Sequence, residues 1–254
     1  MTKIVFDIGA TNMRVAEAEN GVLKNVLKLP TPLDEEATQS VLLDAMKRVS
    51  QEEIETIIGG VAGATNREKF AGFLKENTSA QVKVYNDALM SGLGEAIYGA
   101  GKDKDVVGYI GLGTGIGTSR IVGKKIDSAG FEAGHHIIDI FNNESWEEKI
   151  SGRVIKERHG KYLQELERGI YEDYIRAIAL GVYNSILFWS PDVLVMGGAL
   201  INEKEGFKVE EIVSATESIN KALPTLPPIL KSELGDNAGL YGAMAIIENE
   251  LKAR

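Results

Sequence analysis

The chain has 254 residues, with 28 Lys and Arg against 37 Asp and Glu, a formal net charge of −9. This acidic balance argues against non-specific nucleic-acid binding and an anionic membrane surface, and no apolar run approaches a membrane span. With no cysteine and three histidines, disulfides, thiol nucleophiles and thiolate metal sites are excluded, and little material is left for a His-rich metal centre.

Strand and helix patterns alternate along the chain. It opens directly on a buried strand pattern, Lys3 to Asp7, with no basic-then-apolar leader, so a cytoplasmic location is expected. Asn12 to Glu17 alternates as a hairpin partner, and a third strand opens at Gly21-Val22 and runs to Leu29. Pro30 and Pro32 break the pattern, and the apolar stripe Ala37, Val41, Leu42, Ala45, Met46, Val49 predicts a helix over 34–50. Short strands are expected at 55–59 and 81–85, with a helix at 88–98. The Gly- and charge-rich segment 99–105 is the expected boundary between domains 1–105 and 106–254. Beyond it come a strand at 106–112, a Gly/Thr turn and a return strand at 119–122. A weakly periodic functional loop is expected over 129–143, then two helical stretches over 146–189. A buried strand at 192–196, a helix at 208–222, a strand at 224–230 and a last helix at 238–251 complete the chain. That last helix is the element expected to pack back on the N-terminal domain. Ile8-Gly9 and Thr11 echo Leu112-Gly113 and Thr114, which suggests two α/β domains with mixed sheets related by duplication.

Five motifs carry chemistry. In Asp7-Ile-Gly-Ala-Thr-Asn12, an acid ends a strand, Gly9 permits close backbone approach, and Thr11 and Asn12 offer donors. Turn N–H groups can cradle a phosphate, and Asp7 can hold Mg²⁺ through water; an ordinary hairpin turn with a capping Asp fits equally. Gly111-Leu-Gly-Thr-Gly-Ile-Gly117 is neither a Walker A loop nor a Rossmann fingerprint, since it runs into a strand. Glycines at alternate positions weaken a strand, so a phosphate cradle around Gly113, Thr114 and Gly115 is favoured over a bulged hairpin.

Asn86-Asp87, between a strand and a helix, reads either as a helix cap or as a general base facing a hydroxyl. Glu132-Ala-Gly-His135 with His136, and Glu147 at a helix start, supply groups that accept from and donate to vicinal hydroxyls. Taken alone, Glu147 reads first as a first-turn acid favoured by the helix dipole. Gly197-Gly198 after a buried strand, with Gly235-Asp-Asn-Ala-Gly-Leu-Tyr-Gly242, could admit a flat ligand such as adenine or serve as turns.

In this order, the pieces resemble the ROK family of sugar kinases over nearly the whole chain. Asp7 to Asn12 is similar to its first phosphate motif and Leu112 to Gly117 to its second. Asn86-Asp87 is similar to its sugar-contacting Asn and catalytic Asp, and Glu132, His135 and Glu147 to its sugar ligands. Met196-Gly-Gly198 and Asn237 to Ala243 resemble its nucleotide side. Gly63-Ala-Thr-Asn66 sits where the family often contacts substrate.

The resemblance implies a two-domain actin-like, ribonuclease H-like ATPase fold with a cleft between the lobes. It further implies ATP and Mg²⁺ as cofactors, a small-molecule sugar as substrate, with glucose at its 6-hydroxyl the leading choice over an N-acetylhexosamine, and a homodimer as a common state. Many members carry a zinc site of three cysteines and the motif His; this chain has no cysteine, so no zinc is expected. A polyphosphate-dependent glucokinase and a non-catalytic ATP/sugar sensor are the alternatives. The net charge of −9 weighs against a long polyanion, and Asp87 with Glu132 and His135 weighs against the sensor.

Overall fold

The computed structural model describes residues 2–63, 67–128, 132–161, 163–202, 204 and 206–252. The chain divides into two compact units, Met1–Ile97 with Asn237–Arg254, and Tyr98–Asp236.

In the first unit, β1 (Thr2–Ile8), β2 (Asn12–Glu19) and β3 (Val22–Pro30) form an antiparallel meander. After α1 (Glu35–Val49), β4 (Ile54–Val61) pairs parallel to β1; after α2 (Arg67–Asn77), β5 (Gln81–Asn86) pairs parallel to β4. The sheet order is β3-β2-β1-β4-β5. Its period of two puts Ile4, Phe6 and Ile8 in a core with Leu42 and Met46 of α1 and Phe70 and Leu74 of α2. The helix α1 starts where Asp34 accepts from the Ala37 N–H (2.8 Å), with Glu35 and Glu36 in its first turn and Lys47 and Arg48 in its last. On the other face lie α3 (Asp87–Ile97) and α9, the last helix (Ala238–Lys252), which packs on α3, β4 and β1.

The helix α2 is not among the expected elements. Only Phe70 and Leu74 of its eleven residues are fully buried, so its apolar stripe is two residues wide and gives too weak a periodicity.

The second unit repeats the plan. Its β6 (Val106–Leu112), β7 (Ile116–Val122) and β8 (Lys125–Ile126) are antiparallel, and β11 (Val193–Gly197) and β12 (Ile229–Lys231) continue parallel from β6. The order β8-β7-β6-β11-β12 is that of the first sheet. A small hairpin, β9 (Ile137–Asp139) with β10 (Glu144–Ser145), occupies much of the expected loop. The region 146–189 forms three helices rather than two: α4 (Trp146–Ile150), α5 (Gly152–His159) and α6 (Arg168–Trp189). Ser151 breaks the first pair by capping α5, and left-handed Gly160 ends α5. The short α7 (Ala199–Asn202) and α8 (Val209–Ile219) follow. Trp146, Ile110, Leu112, Ile178 and Met196 centre this core. No helix among the described residues is long and apolar enough to cross a membrane.

Candidate active site

The first unit gathers its candidate residues at the carboxyl ends of its parallel strands, where open α/β sheets take ligands. The β1–β2 turn is held by its carbonyls: Ile8 O accepts from Ala62 N (2.8 Å), Gly9 O from the Thr31 hydroxyl (2.8 Å) and Thr11 O from Thr31 N (2.9 Å). The Gly9 N–H donates across the turn to Asn12 O (3.0 Å), and half-buried Asn12 begins β2.

Asp7 is half-buried, opposite Arg14 on β2 and Gly60 on β4. The first turn of α9 lies directly against it. A Cβ at Gly239 would stand 2.5 Å from Asp7 Cγ and 2.6 Å from its Oδ1. The helix N-terminus thus faces a carboxylate, the favourable end of its dipole. Gly60 separates Asp7 from Asp87, and a Cβ there would lie 2.8 Å from Asp87 Cα. Sequence reasoning missed Gly60; only the Gly59-Gly60 pair at a strand end signals it.

Asn86 caps α3, its Oδ1 accepting from Ala88 N (2.9 Å) and Leu89 N (3.3 Å). Asp87 is the first helical residue, not the cap.

In the second unit, Gly113 N donates to Gly115 O (2.9 Å) across a three-residue turn. Gly113 O and Thr114 O accept from the first amides of α5, Gly152 N (2.8 Å) and Arg153 N (3.3 Å). Here too the carbonyls face the protein. The backbone at Gly113 is open, with nothing nearer than 4.0 Å to an added Cβ. Gly197 ends β11, and Gly198, at φ +85°, packs on Leu112 just before the turn. The segment 235–242, grouped with these glycines by sequence, belongs to the other unit apart from its first two residues.

Glu147 reaches the same turn. Its Oε2 accepts from Ile116 N (2.7 Å) and its Oε1 lies 3.7 Å from the Arg153 guanidinium. A Cβ at Gly115 would stand 2.6 Å from Glu147 Oε2, so that glycine makes room for the carboxylate. The capping box of α4 uses Ser145 and Glu148 instead, and the Ser145 hydrogen bonds hold the Glu148 carboxyl below its usual range.

Glu132 and His135 bracket a 3-10 turn and are exposed. The turn is docked on β7: Ala133 N donates to the Thr118 hydroxyl (3.2 Å), and Gly134 packs on the Ile116 carbonyl. Ile116 therefore has Glu147 at its N–H and the Glu132–His135 turn at its carbonyl. His136 points inward, 5.5 Å from the Trp146 ring, with Nδ1 against Ala133 O, and burial lowers its pKa.

Ion pairs hold this region. Lys149 Nζ donates to Asp139 Oδ2 (2.7 Å) and Glu144 Oε2 (3.0 Å), and Arg158 pairs with Glu144 and donates to Glu148 O (2.9 Å). Residues 64–66 of the Gly63–Asn66 motif and 129–131 of the expected loop lie outside the described residues.

A ROK family model matches residues 49–250. The chain belongs to the ROK family. Among relatives, the glucokinase of Streptomyces coelicolor is 25% identical over 301 residues, covering 93% of this chain and 94% of its own length. A ROK hexokinase from Thermus thermophilus superposes with a TM-score of 0.82 at 22% identity, covering both chains fully. A ROK glucokinase from Streptomyces griseus, solved with glucose and AMPPNP, gives 0.78 at 23% identity over 97% of this chain and 99% of its own. The actin-like ATPase fold of these ROK kinases is therefore the fold of this chain.

No group of three His, Cys, Asp or Glu converges among the described residues. Mg²⁺ needs none, since one or two carboxylates plus phosphate and water suffice, and Asp7 supplies one. Two carbonyl-anchored Gly/Thr turns, with open backbone at Gly113, fit phosphates.

Proposed function

We propose that this ROK protein is an ATP- and Mg²⁺-dependent hexose kinase that phosphorylates glucose at its 6-hydroxyl. The observation that carries this reading is the division of labour at the start of α3. Asn86 takes the capping role, and Asp87 follows it as the first residue of α3, against the Gly60 that also faces Asp7.

The turns at Gly9–Asn12 and Gly113–Gly115 bind the donor phosphates through N–H groups, and Gly197-Gly198 borders the nucleotide. Asp7 would hold Mg²⁺ through water, and the ion would supply charge compensation at those phosphates. Glu132, His135 and Glu147 orient the sugar by accepting from and donating to its hydroxyls, and Asn86 adds its Nδ2 donor. Asp87 accepts the proton of the attacking hydroxyl as its oxygen bonds to the γ-phosphorus and the bond from that phosphorus to the β,γ-bridging oxygen breaks, which releases ADP. A loose phosphoryl-transfer transition state asks for alignment and charge compensation more than covalent help.

The test is ADP release with ATP and Mg²⁺ against glucose, fructose, mannose, allose, N-acetylglucosamine and N-acetylmannosamine, with polyphosphate as parallel donor. Glucose-dependent turnover with ATP is expected. No turnover with any sugar or donor, on folded protein that binds ATP, overturns the proposal in favour of a sensor.

A further inference from the structure

Glu147 is an anion already seated on the glycine-rich turn. Its Oε2 takes the Ile116 N–H at 2.7 Å, its carboxylate fills the space beside Gly115, and the Arg153 guanidinium stands 3.7 Å from its other oxygen. A backbone N–H, a glycine and a guanidinium are also what a phosphoryl oxygen requires. A second anion brought to this turn would meet the first at close range, and like charges at such separations repel strongly. Arg153 is more than half exposed, so its guanidinium can turn from one anion to the other, while its backbone stays tied to Thr114.

We propose that Glu147 couples sugar and donor binding. Its carboxylate competes with the donor phosphate for the Ile116 N–H, a sugar hydroxyl draws it away, and Arg153 then pairs with the phosphate. Arg153 is thereby a donor-binding residue, and sugar binding tightens donor binding. This rests on the reading of the turn as a phosphate cradle and of Glu147 as a sugar ligand.

Calorimetric titration of AMPPNP with Mg²⁺ tests it without turnover. Adding glucose should tighten AMPPNP binding to the wild type. In Glu147→Ala, binding without glucose should be about tenfold tighter than in the wild type, the worth of one charge-assisted hydrogen bond. A merely structural Glu147 would instead weaken binding. Glu147→Gln, nearly isosteric and uncharged, carries the same test should the alanine variant misfold, with a gain of about threefold expected. Arg153→Met should weaken AMPPNP binding about tenfold and leave glucose binding unchanged. Unchanged or weaker AMPPNP binding in the folded Glu147 variants overturns the coupling while leaving an active kinase intact. A wild type that binds no AMPPNP overturns both this inference and the kinase reading.

Discussion

The side-chain carbonyl of Asn86 accepts the Ala88 N–H at 2.9 Å and closes the first turn of α3 on behalf of its neighbour Asp87. The two residues therefore fail differently when changed. Asp87→Asn should lower kcat by about 10²–10⁴-fold, the worth of a general base. Glucose affinity and melting temperature should stay near wild type. Asn86→Ala should instead cost about 1 kcal/mol of stability, the usual price of a lost cap. Kinetics and urea unfolding on both variants separate the roles; near-normal turnover in Asp87→Asn removes Asp87 from catalysis.

Replacing a helical glycine by alanine ordinarily stabilises a helix, by up to about 1 kcal/mol in its interior. At Gly239 the sign should reverse. The new methyl would stand 2.5 Å from Asp7 Cγ, so either α9 or the carboxylate must move. Overpacking of this kind costs about 1–3 kcal/mol. Gly239→Ala should melt lower than wild type and raise the Mg²⁺ concentration needed for half-maximal turnover. A variant that melts higher would show that α9 can shift without disturbing Asp7.

Lys149 ties Asp139 and Glu144 of the small hairpin to α4, which carries Glu147. Lys149→Met keeps the stem and deletes the charge. The expected outcome is a melting temperature lower by about 2–4 °C and a glucose KM raised several-fold with kcat nearly unchanged, the pattern of lost ground-state binding. A kcat defect of the same size as the KM defect would place the damage in the chemical step.

The same pair gives a pH dependence. The Lys149 hydrogen bond, helped by Asn142, holds the Asp139 carboxyl well below the usual carboxylate range. A depressed acid contributes stability that is full above its ordinary value near pH 4 and is lost as pH falls through the depressed value. The difference in urea stability between wild type and Asp139→Asn should therefore be constant above about pH 5 and narrow as pH falls toward 2. A gap that persists undiminished at low pH would assign the effect to packing.

Sequence periodicity carried most of the architecture because strands such as Lys3–Asp7 and 192–196 are buried runs bounded by glycine or polar turns. The three-helix split at 146–189 was not legible, because Ser151 interrupts one apolar pattern and caps the next. Within the site, the turns were marked by glycine and acid. The division of roles between neighbours was not. Asn86 and Asp87 are both good caps, and Glu147 and Glu148 are both first-turn acids. At the start of α4, about 100° of rotation separates Glu148, which turns back on the Ser145 N–H, from Glu147, which reaches the Ile116 N–H. Arg153 was missed because an exposed arginine after Ser-Gly looks like an ordinary solvated face.

The helix α9 packs on β1, β4 and α3, although about 140 residues separate it from the nearest of them. On a ribosome, β1 with Asp7 and α3 with Asp87 emerge first, yet one face of their sheet, with α3 alone on it, stays half covered until the last helix is released. The second unit is continuous and lacks this delay. A nascent chain stalled before residue 238 would thus hold a finished glycine-rich cradle and an unfinished Asp7 site, which makes the earliest-made half of the protein the last to mature.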